Sequence, residues 1–405
     1  MDETSDSAIV APAEKPQVIG GAERFATVLQ VLPALGAGGG VERGAVEIAA
    51  AISAAGGRAL VASGGGIMVH DLKRARAEHF TLPVDSKNPL VMFANIGRLT
   101  RLIKDQGVDI VHARSRAPAW SSYFAAKRAG VHFVTTFHGT YSCGNRLKRY
   151  YNSIMTRGER VIAISSFIAG HIRQIYGVPT SKIRIIHRGV DLNSFDSAKI
   201  NPERVVALAA RWRLGDGMPV VMLPGRLTRW KGQTVLIEAV AKLKSRNLRC
   251  ILVGSDQGRK AYRHELENLV SKYNLGEVVR FVDHCTDMPA AYMLCDVVVS
   301  ASIEPEAFGR VAPEAQALGR PVIATDHGGA RETIINGETG WLIPPGDADA
   351  LAAALAHVLE IKEPARKNLA EKAIANVREN FSRSAMCAGT LEVYNEILHL
   401  KAGGE

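Results

Sequence analysis

Short runs of β-branched and aromatic residues alternate along the chain with longer segments whose apolar residues recur at about every 3.6 positions. The short runs predict buried strands, and the longer segments predict amphipathic helices. In the first half the predicted strands are 25–31, 59–62, 108–112, 133–137, 161–164 and 183–186, and the predicted helices are 45–55, 96–106 and 120–128. Strands that alternate with helices indicate a parallel, doubly wound sheet.

The same alternation restarts in the second half, after a stretch at 191–217 that Asn, Pro and Gly interrupt. The predicted strands there are 220–223, 250–253, 279–282, 297–300, 322–325 and 341–343, and the predicted helices are 234–244, 259–273 and 313–318. Three more helices follow at 350–361, 366–377 and 383–400. The chain is therefore of the α/β class, with two Rossmann-like, doubly wound parallel-sheet domains.

The length of 405 residues also fits two domains, since one domain usually takes about 100 to 200 residues. We predict a mobile tail at 1–22, a first domain at 23–205, a second at 206–382, and a helix at 383–405 that packs back on the first domain. Open α/β sheets bind ligands at the carboxyl ends of their strands, so two facing sheets create a cleft with a binding edge on each side. The chemistry is expected in that cleft.

Charge is spread unevenly along the chain. The net charge is +10, and the first 200 residues, with 25 basic and 15 acidic side chains, account for all of it. An anionic membrane surface, an anionic acceptor or nucleic acid would each attract such a surface. No apolar run reaches the ~18 residues of a membrane span, and the first residues do not read as a secretory leader. We expect a cytoplasmic protein, peripheral on the inner face of the cytoplasmic membrane.

Two groups of basic residues account for much of the excess charge. One lies on a face of the helix predicted at 96–106, and the other follows the fourth predicted strand; their members are Arg98, Arg101 and Lys104, and Arg146, Lys148, Arg149, Arg157 and Arg160. Most charged runs are solvated surface. Their restriction to one half favours contact with an anionic lipid or saccharide, where each cation near the surface contributes about 1 kcal/mol.

The segment Glu306-Ala-Phe-Gly-Arg-Val-Ala-Pro-Glu314 follows a predicted strand and runs into a helix. Gly309 lets the backbone approach a ligand closely, and the amides of Arg310 and Val311 stand at the helix start, where an anion is favoured. These features predict a phosphate site. Glu306 and Glu314 can accept hydrogen bonds from sugar and ribose hydroxyls. The alternative is that Glu314 only complements the helix N-terminus and Glu306 is a solvated loop residue.

A second segment, Pro224-Gly-Arg226-Leu-Thr-Arg-Trp-Lys231-Gly232, follows the first strand of the second half. Arg226 leaves the end of the strand and Lys231 opens the next helix, so both cations can converge on one diphosphate and neutralise it without a metal. The alternative is a solvated basic loop. The glutamate pair on the neighbouring strand favours the diphosphate.

Together these segments resemble those of the retaining family 4 glycosyltransferases of GT-B fold. The resemblance covers nearly the whole chain. In the second half it also includes Gly319-Arg-Pro-Val-Ile-Ala-Thr-Asp326, Gly328-Gly329 and Asn336-Gly-Glu-Thr-Gly-Trp-Leu-Ile-Pro344. In the first half it rests on Gly38-Gly-Gly40-Val-Glu-Arg43, His138-Gly139, Val161-Ile-Ala-Ile-Ser165 and Arg188-Gly-Val-Asp191. The first of these departs from the family's usual Gly-Gly-Ala-Glu-Arg.

The resemblance implies a nucleotide-sugar donor, no cofactor and no metal, and it assigns residue roles. On the donor diphosphate and sugar it places Arg226, Lys231, Glu306, the loop residues Phe308 and Gly309, and the amides of Arg310 and Val311. It places Glu314 on the ribose, His138 over the anomeric centre, His284 and Met288 at the base, and Gly39 and Gly40 in a loop facing the diphosphate and acceptor.

Three of these patterns have competing interpretations. A histidine after a strand, such as His138, is more often structural, and the resemblance is what favours a catalytic role. The glycines of 36–40 match neither a dinucleotide fingerprint nor a P-loop. Asp347-Ala-Asp349 looks like the D-x-D metal motif of another glycosyltransferase fold, but it opens a helix, so we predict capping.

The expected activity is a metal-independent, retaining transfer of a hexose from GDP-mannose or a UDP-hexose. The expected acceptor is a membrane-associated glycolipid or saccharide of lipopolysaccharide type. Two alternatives stay open: a GT-B sugar-nucleotide epimerase, and a basic nucleic-acid-binding protein. The second is disfavoured because the chain has no recognised nucleic-acid motif or aromatic platform, so no nucleic-acid partner is expected.

Overall fold

Seven parallel strands form the first sheet of the computed structural model, which describes residues 26–36, 39–141, 143–245 and 247–400. The strands are β1 (Thr27–Val31), β2 (Arg58–Ser63), β3 (Glu78–Thr81), β4 (Ile110–Ala113), β5 (His132–Phe137), β6 (Arg160–Ala163) and β7 (Ile183–Ile185). Their order across the sheet is β3-β2-β1-β4-β5-β6-β7. The mobile tail predicted at 1–22 lies outside the described residues.

Six parallel strands form the second sheet: β8 (Val220–Pro224), β9 (Arg249–Val253), β10 (Val279–Val282), β11 (Val297–Ser300), β12 (Val322–Thr325) and β13 (Trp341–Ile343). Their order is β10-β9-β8-β11-β12-β13. The predicted α/β class with two doubly wound parallel sheets is confirmed. Each predicted strand is present, and the sequence pattern missed only β3 among the described strands.

Helices cover the faces of the two sheets. Around the first sheet they are α1 (Gly40–Ala54), α2 (Val69–Arg74), α3 (Pro89–Asp105), α4 (Arg116–Ala129), α5 (Arg146–Ser153) and α6 (Ser166–Tyr176). Then follow α7 (Pro202–Arg211), α8 (Gln233–Lys242), α9 (Lys260–Lys272), α10 (Met288–Met293), α11 (Val311–Ala317), α12 (Ala330–Thr333), α13 (Ala348–Glu360), α14 (Ala365–Asn380) and α15 (Arg383–Leu400). Within the described ranges, none of them combines the length and apolar character needed to cross a bilayer.

The strand order reverses once in each sheet, between β1 and β4 and between β8 and β11. Such a reversal opens a crevice at the carboxyl ends of the strands. The loops that follow β1, β8 and β11 contain the glycine segment and the two segments singled out by their chemistry. The topology therefore brings the predicted site residues to the edges where ligands bind.

The stretch predicted as an interruption contains helix α7. Asn201 caps it by accepting a hydrogen bond from the amide of Glu203 at 2.8 Å, and Pro202 occupies the first turn, where its missing N–H costs nothing. Arg204 pairs with Asp287, the residue before α10, at 2.6 Å. The limit drawn at 205/206 falls inside this helix, and the domain limits stay a prediction.

Each sheet with its helices is called a unit. The chain passes from one unit to the other twice, and the two passing segments are hydrogen-bonded to each other. The amide of Val190 donates to the carbonyl of Phe381 at 2.8 Å, and the amide of Arg383 donates to the carbonyl of Val190 at 2.9 Å. A Cβ on Gly189 would lie 2.4 Å from the Cα of Arg383, so only glycine fits there. We call this contact the seam.

Beyond the seam, α15 lies against α1 and the first sheet. Tyr394 is fully buried, and its hydroxyl lies 2.7 Å from Nδ1 of His112 on β4. Glu396 forms ion pairs with Arg160 at 2.7 Å and Arg184 at 2.5 Å. The last helix thus belongs to the hydrophobic core of the first unit, together with Val393 and other residues.

Candidate active site

Lys231 and Glu306 form an ion pair between the loops that follow β8 and β11, with 2.7 Å between Nζ and Oε1. Lys231 ends a short 3₁₀ turn, and the next residue, Gly232, has a φ of +70°. A Cβ on Gly232 would lie 1.8 Å from the carbonyl oxygen of Ala301. Glycine is therefore required for the turn to pack against the end of β11 and for Lys231 to reach Glu306.

Two hydroxyls complete the surroundings of the Glu306 carboxylate. Those of Ser302 and Ser300 donate to Oε1 at 2.5 and 3.2 Å. Burial alone would raise the pKa of Glu306, but the Lys231 ammonium and these hydrogen bonds outweigh it and hold the pKa below its ordinary value. Glu306 is consequently an ionised acceptor at neutral pH.

The Gly328-Gly329 motif supports the backbone of the same loop. The amide of Gly329 donates to the carbonyl of Glu306 at 2.9 Å. A Cβ on Gly329 would lie 2.4 Å from the Cα of Phe308, and one on Gly328 would lie 2.4 Å from the carbonyl oxygen of Glu306. The two glycines thus allow the backbone contact that fixes the Glu306 loop.

A cavity of about 1350 Å³ separates the two units, and segments that follow β1, β7, β10 and β11 line it. Five of the predicted site residues are among its lining: Gly40, His284, Met288, Arg310 and Glu314. We call this cavity the interdomain cleft. The other predicted site residues lie outside its lining, and of these Phe308 is buried: Gly39, His138, Arg226, Lys231, Glu306, Phe308, Gly309 and Val311.

Glu314 stands in the first turn of α11, where its carboxylate accepts a hydrogen bond from the hydroxyl of buried Tyr292 at 3.1 Å. Burial raises the pKa of Glu314, and the neighbouring cations Arg310 and Arg43 only partly oppose this. Arg310 also reaches across the cleft, donating to the carbonyl of Gly189 at 3.3 Å. The loop after β11 therefore already joins the two units.

His138 follows β5 in the first unit and contacts Arg188, whose Nη2 lies 2.6 Å from its Nδ1. Burial and the guanidinium groups of Arg188 and Arg114 hold the pKa of His138 well below its ordinary value. Its Nε2 is buried and has no hydrogen-bond partner in the described part of the chain. Because Arg188 precedes Gly189, a continuous set of contacts connects His138 to Arg310.

Arg226 is exposed just beyond the end of β8. Its carbonyl accepts a hydrogen bond from the side chain of Gln233 at 2.9 Å. The preceding Gly225 packs on Lys231, since a Cβ there would lie 3.5 Å from the Lys231 Cδ. Arg226 and Lys231 are thus close in the fold, and their convergence on a diphosphate stays a prediction.

Two further residues line the interdomain cleft: Arg43, which ends the glycine motif but was given no role from the sequence, and Glu47, which was not singled out. Both are on α1, and with Gly40 they recur at spacings of three and four, so one face of the helix is turned to the cleft. Burial raises the pKa of Glu47, opposed first by Arg310 and Arg188. That polar spacing, starting within the glycine segment, was the available signal.

A short D-x-D-like segment is also explained by the structure. Asp347 is the N-cap of α13 and accepts a hydrogen bond from the amide of Ala350 at 2.8 Å. The predicted capping role is confirmed.

Two doubly wound parallel sheets on either side of one cleft are the architecture of the GT-B fold, which many glycosyltransferases share. A family model described as Glycosyltransferase Family 4 matches residues 38–194, and one described as Glycosyl transferases group 1 matches residues 208–376. The chain belongs to the family 4 glycosyltransferases.

Known proteins support this assignment along nearly the full chain. A crystal structure of a glycosyltransferase from Rickettsia africae is 39% identical, with a TM-score of 0.86 over 93% of this chain and 99% of that one. HepE of Anabaena, crystallised with UDP-glucose, is 25% identical, with a TM-score of 0.80 over 91% and 99%. A glycosyltransferase assigned to colanic acid biosynthesis, WcaL of Salmonella typhimurium, is 28% identical over 78% of this chain and 77% of its own.

Proposed function

We propose that this enzyme transfers a hexose from a nucleotide-diphosphate sugar to a membrane-associated glycolipid or lipopolysaccharide-type acceptor, with retention of the anomeric configuration. The observation that carries the proposal is the Lys231–Glu306 pair, held between the two loops at the reversal of the second sheet. A cation and a carboxylate in contact, both largely shielded from solvent, suit a ligand that carries both phosphate and hydroxyl groups.

The donor lies with its nucleoside in the interdomain cleft and its sugar towards Glu306. Glu314 accepts hydrogen bonds from the ribose hydroxyls, and the segment from His284 to Met288 faces the base. Both surfaces line the cleft. The diphosphate then lies between them, at Arg226, Lys231 and the start of α11. The complex of HepE with UDP-glucose favours a UDP-hexose over GDP-mannose.

Bond cleavage leaves negative charge on the diphosphate, and fixed cations stabilise that charge without reorganising. Lys231 supplies one cation. As the leaving group gains charge, Lys231 exchanges part of its contact with Glu306 for the phosphate, and Glu306 becomes free to accept from the sugar hydroxyls. The resemblance to the retaining family implies that the acceptor hydroxyl enters on the side of the leaving group, whose phosphate takes the proton.

A group of exposed apolar side chains on the first unit supports a membrane-associated acceptor. Leu90 and Leu147 are 80% and 81% exposed, and they are accompanied by Phe93, Phe124 and Tyr150. These five residues, on α3, α4 and α5, are called the apolar platform. Single exposed apolar residues are common in soluble proteins, but a cluster of this kind marks an interaction surface.

Aromatic contacts join the α4 and α5 parts of the apolar platform. The ring of Trp120 on α4 stacks on Phe124 at 6.3 Å and lies 5.5 Å from the ring of Tyr150 on α5. Helix α3 contacts α4 near the same point, where the hydroxyl of Ser121 donates to the carbonyl of Met92 at 2.8 Å, within the first turns of α3. Exposed cations on α3 and α5 accompany the platform: Arg98, Arg101, Arg146, Lys148 and Arg149.

Charge and position both favour an anionic bilayer as the occupant of this surface. Cations attract anionic headgroups, and aromatic rings are favoured at the membrane interface. Helices α4 and α5 start at the carboxyl ends of β4 and β5, which is the edge of the sheet that faces the cleft. A lipid-linked acceptor held by the inner face of the membrane would therefore approach the cleft.

The membrane step is tested with phosphatidylglycerol-containing vesicles and with vesicles of phosphatidylcholine alone. We expect co-sedimentation with the first only, and its loss in a Phe93→Glu, Leu147→Glu variant. Val206→Glu on α7, where Val206 is also exposed, is the matched control. Equal binding of all variants would contradict the platform, whatever the donor.

The transfer step is tested by product analysis with several nucleotide sugars and a membrane extract. A thermal-shift panel of UDP, GDP, ADP and a random oligonucleotide separates the alternatives beforehand, since a bound ligand stabilises the folded state. We expect a selective response to UDP and a labelled lipid product. Conversion of the donor without an acceptor would instead support the epimerase, and a response to the oligonucleotide alone would support the nucleic-acid binder.

A further inference from the structure

Arg188 and His138 are joined by a hydrogen bond whose direction is fixed by chemistry. An arginine guanidinium has only donors and stays protonated in proteins. Nδ1 of His138, 2.6 Å from Nη2 of Arg188, must therefore be the acceptor. An imidazole that accepts at Nδ1 is neutral and carries its proton on Nε2.

We infer that Arg188 is a positioning residue that fixes His138 as a neutral hydrogen-bond donor through Nε2, so that His138 binds a sugar oxygen and does not act as a base. This inference rests on the proposed function, since it concerns how the proposed donor sugar is held. It assigns to Arg188 a role that the sequence motif Arg188-Gly-Val-Asp191 did not carry.

The proton on Nε2 has no hydrogen-bond acceptor in the described part of the protein. Nε2 of His138 is buried, and no group of the described residues accepts a hydrogen bond from it. A buried donor without an acceptor costs about 1 to 3 kcal/mol, so such groups in native proteins call for an explanation. An oxygen of the bound sugar supplies the missing acceptor.

None of the charged and titratable groups described around His138 favours its protonated form. Arg188 and Arg114 are 5% and 3% exposed, and His112 on β4 is also nearby. Two carboxylates of α1, those of Glu47 and Glu42, act on Arg188 and partly balance its charge. Tyr141 contacts the backbone of His138, and burial raises the pKa of that phenol to about 12. No carboxylate is therefore placed to stabilise an imidazolium at this position in the described structure.

The packing fixes Arg188 as firmly as it fixes the histidine. A Cβ on Gly44 of α1 would lie 2.3 Å from Nη1 of Arg188 and 3.1 Å from Nη2 of Arg114. Arg114 is held in turn by Gln30, which accepts from its Nη1 at 2.9 Å. The guanidinium of Arg188 has little freedom to leave Nδ1.

The test is the tautomer of His138 in the full-length enzyme, read from ¹H–¹⁵N correlation spectra of protein labelled at histidine. The His138→Gln variant assigns the signal. We expect neutral imidazole with the proton on Nε2 from pH 6 to 8, and the same in Arg188→Lys, which keeps a donor. A proton on Nδ1, or an imidazolium at pH 6, would overturn the inference even if the enzyme proves to use another substrate.

Activity supplies the second readout, because a purely structural role would not change the pH profile. In Arg188→Met the imidazole becomes free to titrate and to exchange its neutral tautomers, so kcat/KM should gain a pH dependence around a new apparent pKa that the wild type lacks. His138→Gln keeps a side-chain donor that does not titrate, so it should lower kcat/KM without changing the shape of the pH profile from that of the wild type. Arg160→Met, which breaks the ion pair with Glu396, controls for lost stability. An unchanged profile in a folded Arg188→Met variant would contradict the role, and if that variant does not fold, the wild-type spectrum decides.

Discussion

Lys231 and Glu306 neutralise each other across 2.7 Å, although their loops are 75 residues apart in the chain. Their side chains are only 12% and 16% exposed. Removing one partner of such a pair leaves the other buried without its counter-charge. The pair is thus a strong structural contact that a diphosphate sugar would have to share.

Replacing Lys231 by Ala should reduce turnover about 10²- to 10³-fold, the usual cost of removing one donor to a developing anion. Steady-state rates and circular dichroism should show a folded, nearly inactive enzyme. Lys242→Ala is the matched control, because Lys242 also pairs with a carboxylate at 2.7 Å, that of Asp349, but on the surface. Turnover that is unchanged in Lys231→Ala would remove the pair from the site.

Glu314→Gln should change how the KM for the donor depends on pH. Burial raises the pKa of Glu314, so this carboxylate gains its proton at a higher pH than an ordinary glutamate and loses an acceptor for the ribose. In the wild type the KM should therefore rise as the pH falls through that pKa, with kcat little affected. In Glu314→Gln the KM should be high at all pH values. A parallel dependence in both proteins would contradict this role.

Glu332→Gln should weaken the contact between the two units. Glu332 on α12 accepts hydrogen bonds from the amides of Ser166 and Phe167 at 2.6 and 2.8 Å and from His187 at 2.9 Å. Charged hydrogen bonds of this kind contribute about 1.5 to 3 kcal/mol. The expected loss in the free energy of unfolding at pH 7 is of that order, measured by urea denaturation.

The pH dependence of that loss has a definite sign. Burial alone would raise the pKa of Glu332, but the hydrogen bonds from His187, Ser166 and Phe167 outweigh it and lower the pKa. A depressed carboxyl pKa stabilises the folded state above the unfolded pKa of about 4.3, and the effect disappears as the pH falls through the folded value. The difference between Glu332→Gln and wild type should shrink accordingly. Glu338→Gln, which breaks an exposed pair with Lys372, should cost far less at any pH.

Gly232→Ala should destabilise the enzyme more than Gly337→Ala. Both glycines have positive φ, +70° and +81°, which costs other residues about 1 to 2 kcal/mol. At Gly232 the new Cβ would also collide with the carbonyl oxygen of Ala301, whereas Gly337 has open space. Thermal melting should rank the two variants, and only Gly232→Ala should also lower turnover, because Lys231 is displaced. Equal melting temperatures would contradict the close approach.

Strands that are buried on both faces need a continuous run of apolar residues, and the sequence predicted the strands of this kind. Strand β3 was not predicted. It lies at the edge of its sheet and pairs only with β2, so Glu78, His79 and Thr81 can remain partly solvated and the apolar run is missing. Helix α7 was not predicted because Asn201 and Pro202 were interpreted as residues that interrupt regular structure, although they also form a favourable helix start.

The sequence likewise predicted some residues of the site and not others. Lys231 and Glu306 follow strands with strong patterns, so their loops could be identified separately, and the family resemblance supplied the pairing. The contact of His138 with Arg188 could not be foreseen, because it depends on how the segments after β5 and β7 pack below α1. The same is true of Glu47, whose surroundings include Arg310 of the other unit.

The seam at Val190, Phe381 and Arg383 places both covalent links between the units at one point. Any relative rotation that preserves these backbone bonds must pivot there, so displacement grows with distance from it. Cutting the chain after residue 382 would remove one link and, with α15, part of the first unit's core, so the C-terminus is a poor place for truncation.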